Sequence, residues 1–170
     1  LDKTFWGLPW QPHQAGPLTL DRIENERRLR REGGVSSEEQ ALKLMRQAIA
    51  HGTTHIRSHV DIDMEIGLAN LEGVLAARER MKDHVTLQLV AFPQSGMLMS
   101  PGTADLLDVA VNAGADLVGG IDPSTIERDP VGHIDGIFAI ADRHGVGVDI
   151  HLHEPGTLGG FAIELIADRT

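Results

Sequence analysis

The segment VGVDIHLHE (146–154) combines a short, mostly apolar β-strand with a cluster of histidine and acidic side chains at its end. A second segment of this kind, VTLQLVAFPQ (85–94), is nearly all apolar over residues 85–92 and ends in Pro93 and Gln94. Strands this apolar are typical of a parallel sheet that is covered on both faces. Both segments therefore predict parallel strands with polar residues at their carboxyl ends.

Helical and strand patterns alternate along most of the chain. Residues 1–17 show no period and predict an irregular loop. The predicted helices cover 18–32, 36–51, 65–82, 103–113 and 131–144, with another from 160 onward, and the remaining strands cover 53–60 and 116–119. The helix over 36–51 opens with a capping box, a Ser followed three residues later by a Glu. Strict alternation indicates parallel βα units, which form either a doubly wound open sheet or part of a (β/α)8 barrel.

Composition restricts the classes of protein. The 170 residues, 41% of them apolar, suffice for one domain with a single core. Acidic residues outnumber basic ones by 25 to 15, which argues against nucleic acid as a partner. Because the chain has no membrane-length apolar run and no signal-peptide features at its start, we expect no membrane partner and a cytoplasmic location. Without cysteine, any metal must be held by imidazole or carboxylate groups.

Polar residues follow every predicted strand, and the carboxyl ends of parallel strands meet at one edge of the sheet. These strand ends are His59-Val60-Asp61, Ala91-Phe92-Pro93-Gln94, Gly119-Gly120-Ile121-Asp122-Pro123 and Asp149-Ile150-His151-Leu152-His153-Glu154. No glycine-rich phosphate loop follows any strand, which weakens the option of an open, nucleotide-binding sheet. We therefore expect a site for a small molecule at this edge.

The pair His151 and His153 has two interpretations. If the strand persists, alternation places both imidazoles on one face, which suits metal binding, and Glu154 just beyond is a natural general acid or base. The spacing is equally compatible with two hydrogen-bonded histidines that bind no metal. Gln94 can donate and accept, which suits the amide edge of a heterocycle, or it can stabilise its loop.

The first predicted strand carries His55, Arg57 and His59 on one face by period two. An arginine inside a barrel must be paired, and Asp61 and Asp63 are near in sequence. A buried ion-pair network that supports the edge of the sheet is at least as well supported as contact with a substrate.

Four stretches in register resemble the cytosine deaminase branch of the amidohydrolase superfamily: HIRSHVD (55–61), QLVAFPQSG (88–96), GADLVGGIDP (114–123) and DIHLHE (149–154). The resemblance implies a metal-dependent (β/α)8 barrel that hydrolyses C–N bonds, usually in a nitrogen heterocycle. It implies that His151 binds one divalent ion, zinc or iron, and that Glu154 transfers protons. Gln94 would hold the substrate ring. His153, where the best-known cytosine deaminases have Asp, would tune substrate choice. From the pattern of the first strand, and not from the resemblance, we expect His59, Asp61 and Arg57 to support the site without touching metal or substrate.

The resemblance places the chain at strands two to five of eight, with residues 1–17 following a missing first strand. The start without Met and the abrupt end agree with a piece of a longer protein. We therefore expect the 170 residues alone to bind metal weakly and to be inactive, and the whole barrel to act on a small heterocyclic amine or amide. The alternative is an inactive barrel fragment, or a non-catalytic α/β module acting by association. Open strand edges would favour association and also allow a homo-oligomer.

Overall fold

A computed structural model describes residues 1–12 and 14–170 of the chain. The helices are α1 (Thr19–Gly33), α2 (Ser37–Ala50), α3 (Ala69–Met81), α4 (Thr103–Ala113), α5 (Pro130–His144) and α6 (Gly156–Ala167), and the strands are β1 (His55–Asp61), β2 (Thr86–Phe92), β3 (Leu117–Ile121) and β4 (Gly147–His151). Before α1, the described residues form neither helix nor strand. Within the described ranges, no helix has both the length and the apolar character needed to cross a membrane.

The strands form one parallel sheet in the order β1-β2-β3-β4. When sequential strands are neighbours and every crossover is right-handed, the connecting helices all lie on one face. The core has this arrangement: α3, α4 and α5 pack on one face of the sheet, and α2 packs on α3. Fully buried members of this core include Met45, Leu71, Leu89, Val118 and Ile137. Helices on one face are typical of a (β/α) barrel and not of a doubly wound sheet, so the predicted fold class is confirmed.

The opposite face of the sheet is concave. β1 and β4 are three strand spacings apart, which is about 14 Å in a flat sheet. Yet Nε2 of His59 on β1 lies 3.0 Å from Oδ1 of Asp149 on β4, and Nη1 of Arg57 lies 2.7 Å from Oδ2 of the same carboxylate. Such contacts require the sheet to curl around these side chains, as strands do around the inside of a barrel. The predicted alternation on β1 is confirmed, because Ser58 and Val60 are buried on the other face.

Two helices begin about one turn away from the predicted residue. α3 begins at Ala69 because the Asp63 carboxylate accepts hydrogen bonds from the backbone N–H groups of Glu65 and Ile66 and holds this stretch in a turn. Such side-chain hydrogen bonds compete with helix formation. α6 begins at Gly156, about one turn earlier than predicted, because glycines in its first turns weaken the helical signal of the sequence.

β4 is less buried than its apolar composition suggests. Its five residues are exposed or half-buried, whereas the last four residues of β2 are buried. β4 has one neighbouring strand in the described sheet, and Asp149 and His151 lie on the concave face, opposite the face on which α3, α4 and α5 pack. The expectation that this strand is covered on both faces is therefore wrong for the described chain.

Helix α1 is tied to the carboxyl end of the sheet, although most of its residues are polar. Nη2 of Arg27 lies 2.5 Å from Oδ2 of Asp63, and Nη2 of Arg30 lies 3.0 Å from Oδ2 of Asp61. Ile23 is buried in a small apolar cluster that includes residues from the ends of β2 and β3. The helix thus lies over the edge where polar side chains converge.

Gly119 on β3 lets the Phe92 side chain lie over the concave face. A Cβ atom at position 119 would stand 2.6 Å from Cδ2 of Phe92 and 3.0 Å from the backbone oxygen of Ala91. These separations are far below normal contact distance. The backbone oxygen is held in the sheet, so the strand itself would have to shift.

Gly119→Ala is expected to lower the free energy of unfolding by about 1–3 kcal/mol, the usual cost of overpacking. Chemical denaturation monitored by circular dichroism measures this change. Gly160→Ala is the matched control, because a Cβ there meets nothing within 4 Å and alanine favours α6. An unchanged midpoint in Gly119→Ala would contradict the close approach of Phe92.

Candidate active site

A cavity of about 300 Å³ opens at the carboxyl ends of the strands. Its lining combines side chains from the ends of all four strands with residues of α1. Four sequence-predicted site residues lie here together: His59, Gln94, His151 and His153. The other three, Arg57, Asp61 and Glu154, do not line this cavity.

Three potential metal ligands meet on the concave face. Donor atoms of His59, Asp149 and His151 lie within 4.8 Å of one another. The rings of His59 and His151 meet edge to face with their centroids 4.4 Å apart, and Phe92 packs against both rings. The aromatic contacts restrict the two imidazoles to orientations that keep their nitrogens near the Asp149 carboxylate.

The protonation states in this group suit metal binding. Burial opposes ionisation of Asp149, but hydrogen bonds from His59 and Arg57 outweigh it and hold the pKa of this carboxyl below its ordinary value. Burial, followed by the proximity of His59, lowers the pKa of His151. At neutral pH the site therefore offers an ionised carboxylate and a neutral imidazole, the forms in which these groups bind metals. The donors fit a divalent cation, with Arg57 competing for the carboxylate.

The partner of Arg57 differs from the one predicted. Its Nη1 donates to Oδ2 of Asp149 at 2.7 Å, and its Nε donates to Oε1 of Gln88 at 2.8 Å. Asp61 is four residues further along β1, about 13 Å away along the strand. The prediction of Asp61 or Asp63 as the partner is wrong. Both lie at the carboxyl end of β1, where they form ion pairs with other basic side chains.

Asp61 does not line the cavity but connects the segments around the end of β1. Its buried carboxylate lies 2.6 Å from Nζ of Lys3 and 3.0 Å from Nη2 of Arg30. Burial raises the pKa of Asp61, although the charge of Lys3 opposes this shift. The backbone N–H of Asp61 donates to Oδ2 of Asp2 at 3.0 Å. Asp61 therefore ties both the first residues of the chain and α1 to the end of β1.

Lys3 also fixes the orientation of the Gln94 amide. Nζ of Lys3 donates to Oε1 of Gln94 at 2.7 Å. An ammonium group can only donate, so its partner must be the carbonyl oxygen of the amide. The NH2 group of Gln94 is left to donate to a molecule in the cavity.

His153 and Glu154 are both held by the loop that follows β3. Nδ1 of His153 lies 2.8 Å from Oδ2 of Asp122. Oε1 of Glu154 accepts hydrogen bonds from the backbone N–H groups of Ser124 and Thr125, each at 2.7 Å. The strand ends at His151, so alternation does not extend to His153, and the structure does not bring His153 into the group formed by His59, Asp149 and His151.

Glu154 is buried beside the cavity, with 7% of its surface exposed. Its Oε2 atom has no hydrogen-bond partner among the residues that the structure describes. A buried carboxylate oxygen without a partner is costly, and a catalytic role is one reason for a protein to keep it.

Three residues of this site are not among the functional residues predicted from the sequence. Asp149 precedes His151 by two positions, so strand alternation already placed both on one face. Asp122 belongs to a strand end, but its contact with His153 depends on the path of a loop. Lys3 lies in a segment without any period, and no signal in the sequence places it beside Gln94.

Comparison with known proteins identifies relatives across nearly the whole chain, although no family model matches it. The crystal structure of N-isopropylammelide isopropylaminohydrolase from Burkholderia multivorans ATCC 17616 matches 99% of this chain and 42% of that chain, with 50% identity and a TM-score of 0.94. The structure of 5-methylcytosine deaminase from Klebsiella pneumoniae, liganded with 5-fluorocytosine, matches 89% of this chain and 36% of that chain, with 30% identity and a TM-score of 0.74. N-isopropylammelide isopropyl amidohydrolase of Pseudomonas sp. (strain ADP) is 38% identical over 122 residues, or 72% of this chain and 30% of that protein.

The chain belongs to the amidohydrolase superfamily, and its four parallel strands match part of the barrel of that superfamily. It spans 30% of the length of the curated relative and 42% and 36% of the two solved chains. Within the superfamily it is similar to N-isopropylammelide hydrolases and to a 5-methylcytosine deaminase, so the resemblance noted from four sequence stretches is confirmed.

Proposed function

We propose that this chain forms part of the active site of a divalent-metal-dependent hydrolase that breaks C–N bonds outside peptides, deaminating a nitrogen heterocycle. The observation that carries the proposal is the convergence of His59, Asp149 and His151 beside a cavity that His59 and His151 line together with Gln94 and His153. Potential metal ligands beside polar groups in a cavity are what hydrolysis of a small ring requires. The substrates named for the relatives support the choice of a heterocycle.

His151 is the proposed metal ligand. Zinc and iron are both candidates, because imidazole and carboxylate groups bind either. A bound divalent ion would activate water for attack on the ring carbon. His59, Arg57 and Asp61 support the ligand, since they hold the concave face around Asp149 and the end of β1. We do not expect the 170 residues alone to bind the ion tightly, because Arg57 and His59 already engage the Asp149 carboxylate and a catalytic site needs about three protein ligands in fixed positions.

Glu154 is the proposed proton-transfer group. The loop after β3 holds Oε1, and Oε2 is available to take a proton and pass it to a ring nitrogen or to the leaving amine. This role requires the segment around Glu154 to bring Oε2 to the cavity when substrate binds. Gln94 and His153 are the proposed substrate contacts, and the substrate is a small heterocyclic amine or amide. The cytoplasmic location and the lack of a nucleic-acid partner stay predictions from composition.

The test is an assay for release of ammonia or an amine by the gene product that contains these residues. The panel comprises cytosine, isoguanine, a pterin, creatinine and an N-alkylamino heterocycle. We expect turnover of at least one compound, loss of turnover on chelation, and recovery with zinc or iron. A gene product that hydrolyses none of them after metal addition would contradict the proposal.

A second candidate is a non-catalytic module that acts by association, or an inactive barrel fragment. β1 and β4 are the two edge strands of the described sheet. Each has one edge whose backbone N–H and C=O groups pair with no other strand of that sheet. Such edges also favour a homo-oligomer. Light scattering of the purified chain distinguishes the candidates: stable association without any hydrolysis by the gene product favours the module.

A further inference from the structure

We infer that Asp122 is a positioning residue that fixes the tautomer of His153, so that Nε2 of His153 offers a lone pair to the cavity and selects a ligand with a ring N–H donor. This inference deepens the proposed function and rests on it for the kind of molecule that occupies the cavity. The evidence for it is the set of contacts made by the buried carboxylate of Asp122.

Asp122 directs both of its carboxylate oxygens at His153. Oδ1 accepts the backbone N–H of His153 at 2.6 Å, and Oδ2 lies 2.8 Å from Nδ1 of the imidazole. Asp122 is 1% exposed, and its own N–H donates to the backbone oxygen of His151 at 3.0 Å. The carboxylate is therefore held on the end of β4 and cannot turn away to another partner.

The chemistry of this pair determines which ring nitrogen carries hydrogen. An ionised carboxylate can only accept hydrogen bonds, so Nδ1 of His153 must donate. In a neutral imidazole the other nitrogen is then an acceptor. No hydrogen bond to Nε2 is found within residues 1–12 and 14–170, and His153 is one of the residues that line the cavity. The lone pair of Nε2 is therefore available to a ligand.

The backbone at Asp122 supports a dedicated role. Its φ angle is +32°, in the region that few residues other than glycine adopt. Asn and Asp are the side chains that tolerate this region best. Asp122→Asn can therefore keep the backbone while changing the polarity of the contact, because the amide NH2 group of Asn can donate to Nδ1 and move the imidazole hydrogen to Nε2.

The first measurement is the 15N spectrum of the His153 imidazole, recorded at a pH at which the spectrum itself shows a single ring hydrogen. We expect a protonated Nδ1 and an unprotonated Nε2 in the wild-type chain, and the reverse in Asp122→Asn. Asp142→Asn, an exposed change on α5, is the control and should leave the pattern unchanged. A protonated Nε2 in the wild-type chain would overturn the inference, and this result needs no variant to fold.

The second measurement compares two probes, 2-pyridone, which has a ring N–H, and N-methyl-2-pyridone, which lacks it. We expect 2-pyridone to shift the Nε2 resonance and to bind about three- to tenfold more tightly, as one added hydrogen bond allows. Asp122→Asn should remove this preference, whereas a merely structural role would alter stability and not the preference. No response to 2-pyridone, or equal binding of both probes, would overturn the inference. Neither measurement depends on turnover, so failure of the proposed hydrolysis is a separate result.

Discussion

Glu154→Gln is expected to lower turnover by the gene product roughly a hundredfold to ten-thousandfold, the usual contribution of a general acid or base. Glutamine has the same shape, and its carbonyl oxygen can still accept from the backbone N–H groups of Ser124 and Thr125. It cannot carry a proton between water and a ring nitrogen. The fold should therefore persist while the chemistry fails.

The measurement is the steady-state rate over a range of pH, together with the midpoint of thermal unfolding. Glu164→Gln on the exposed side of α6 is the matched control and should leave both unchanged. Turnover close to wild type in Glu154→Gln would remove Glu154 from the mechanism. Loss of turnover together with a lower midpoint temperature of thermal unfolding would mean that the carboxylate mainly holds the loop after β3.

His151→Ala is expected to reduce the metal content of the gene product and, with it, turnover. Replacing even an outer partner of a metal ligand costs about 10- to 100-fold in metal affinity, so loss of a ligand should cost at least about a hundredfold. His151 is partly exposed at the end of β4, so truncation should leave the core intact.

Metal bound per protein after gel filtration measures this effect, and added zinc or iron should restore little activity. His84→Ala is the control, because this histidine is exposed in the link between α3 and β2. Full metal content in His151→Ala would assign the ion to other residues. His59→Ala then becomes informative, since His59 and Asp149 are the remaining donors of the group on the concave face.

Much of the fold follows from local patterns in the sequence. The apolar segment 85–92 contains β2. Strands and helices alternate along the chain, and this alternation predicts that the segment is a strand of a parallel sheet. The hydroxyl of Ser36 caps α2 as predicted, by accepting from the backbone N–H of Glu39. The start of α3 was missed because a single side chain, that of Asp63, holds its turn, and side-chain hydrogen bonds leave little trace in apolar periodicity.

The candidate site was predictable where it follows strand ends. His59, Gln94, His151 and His153 all line the cavity, because carboxyl ends of parallel strands meet at one edge. Lys3 was not predictable, since its place beside Gln94 depends on how an irregular segment returns to the sheet.

The sequence alone determined the order of βα units, the side chains at each strand end and the shared face of His55, Arg57 and His59. These features depend on short-range periods that need no knowledge of distant contacts. Only the tertiary structure decided that Arg57 and His59 meet Asp149 and that Asp122 holds His153. The first pairing requires the curl of the sheet to bring β1 and β4 together, and the second requires two loops to meet. Curvature and loop paths arise from the packing of the whole unit, which no local pattern encodes.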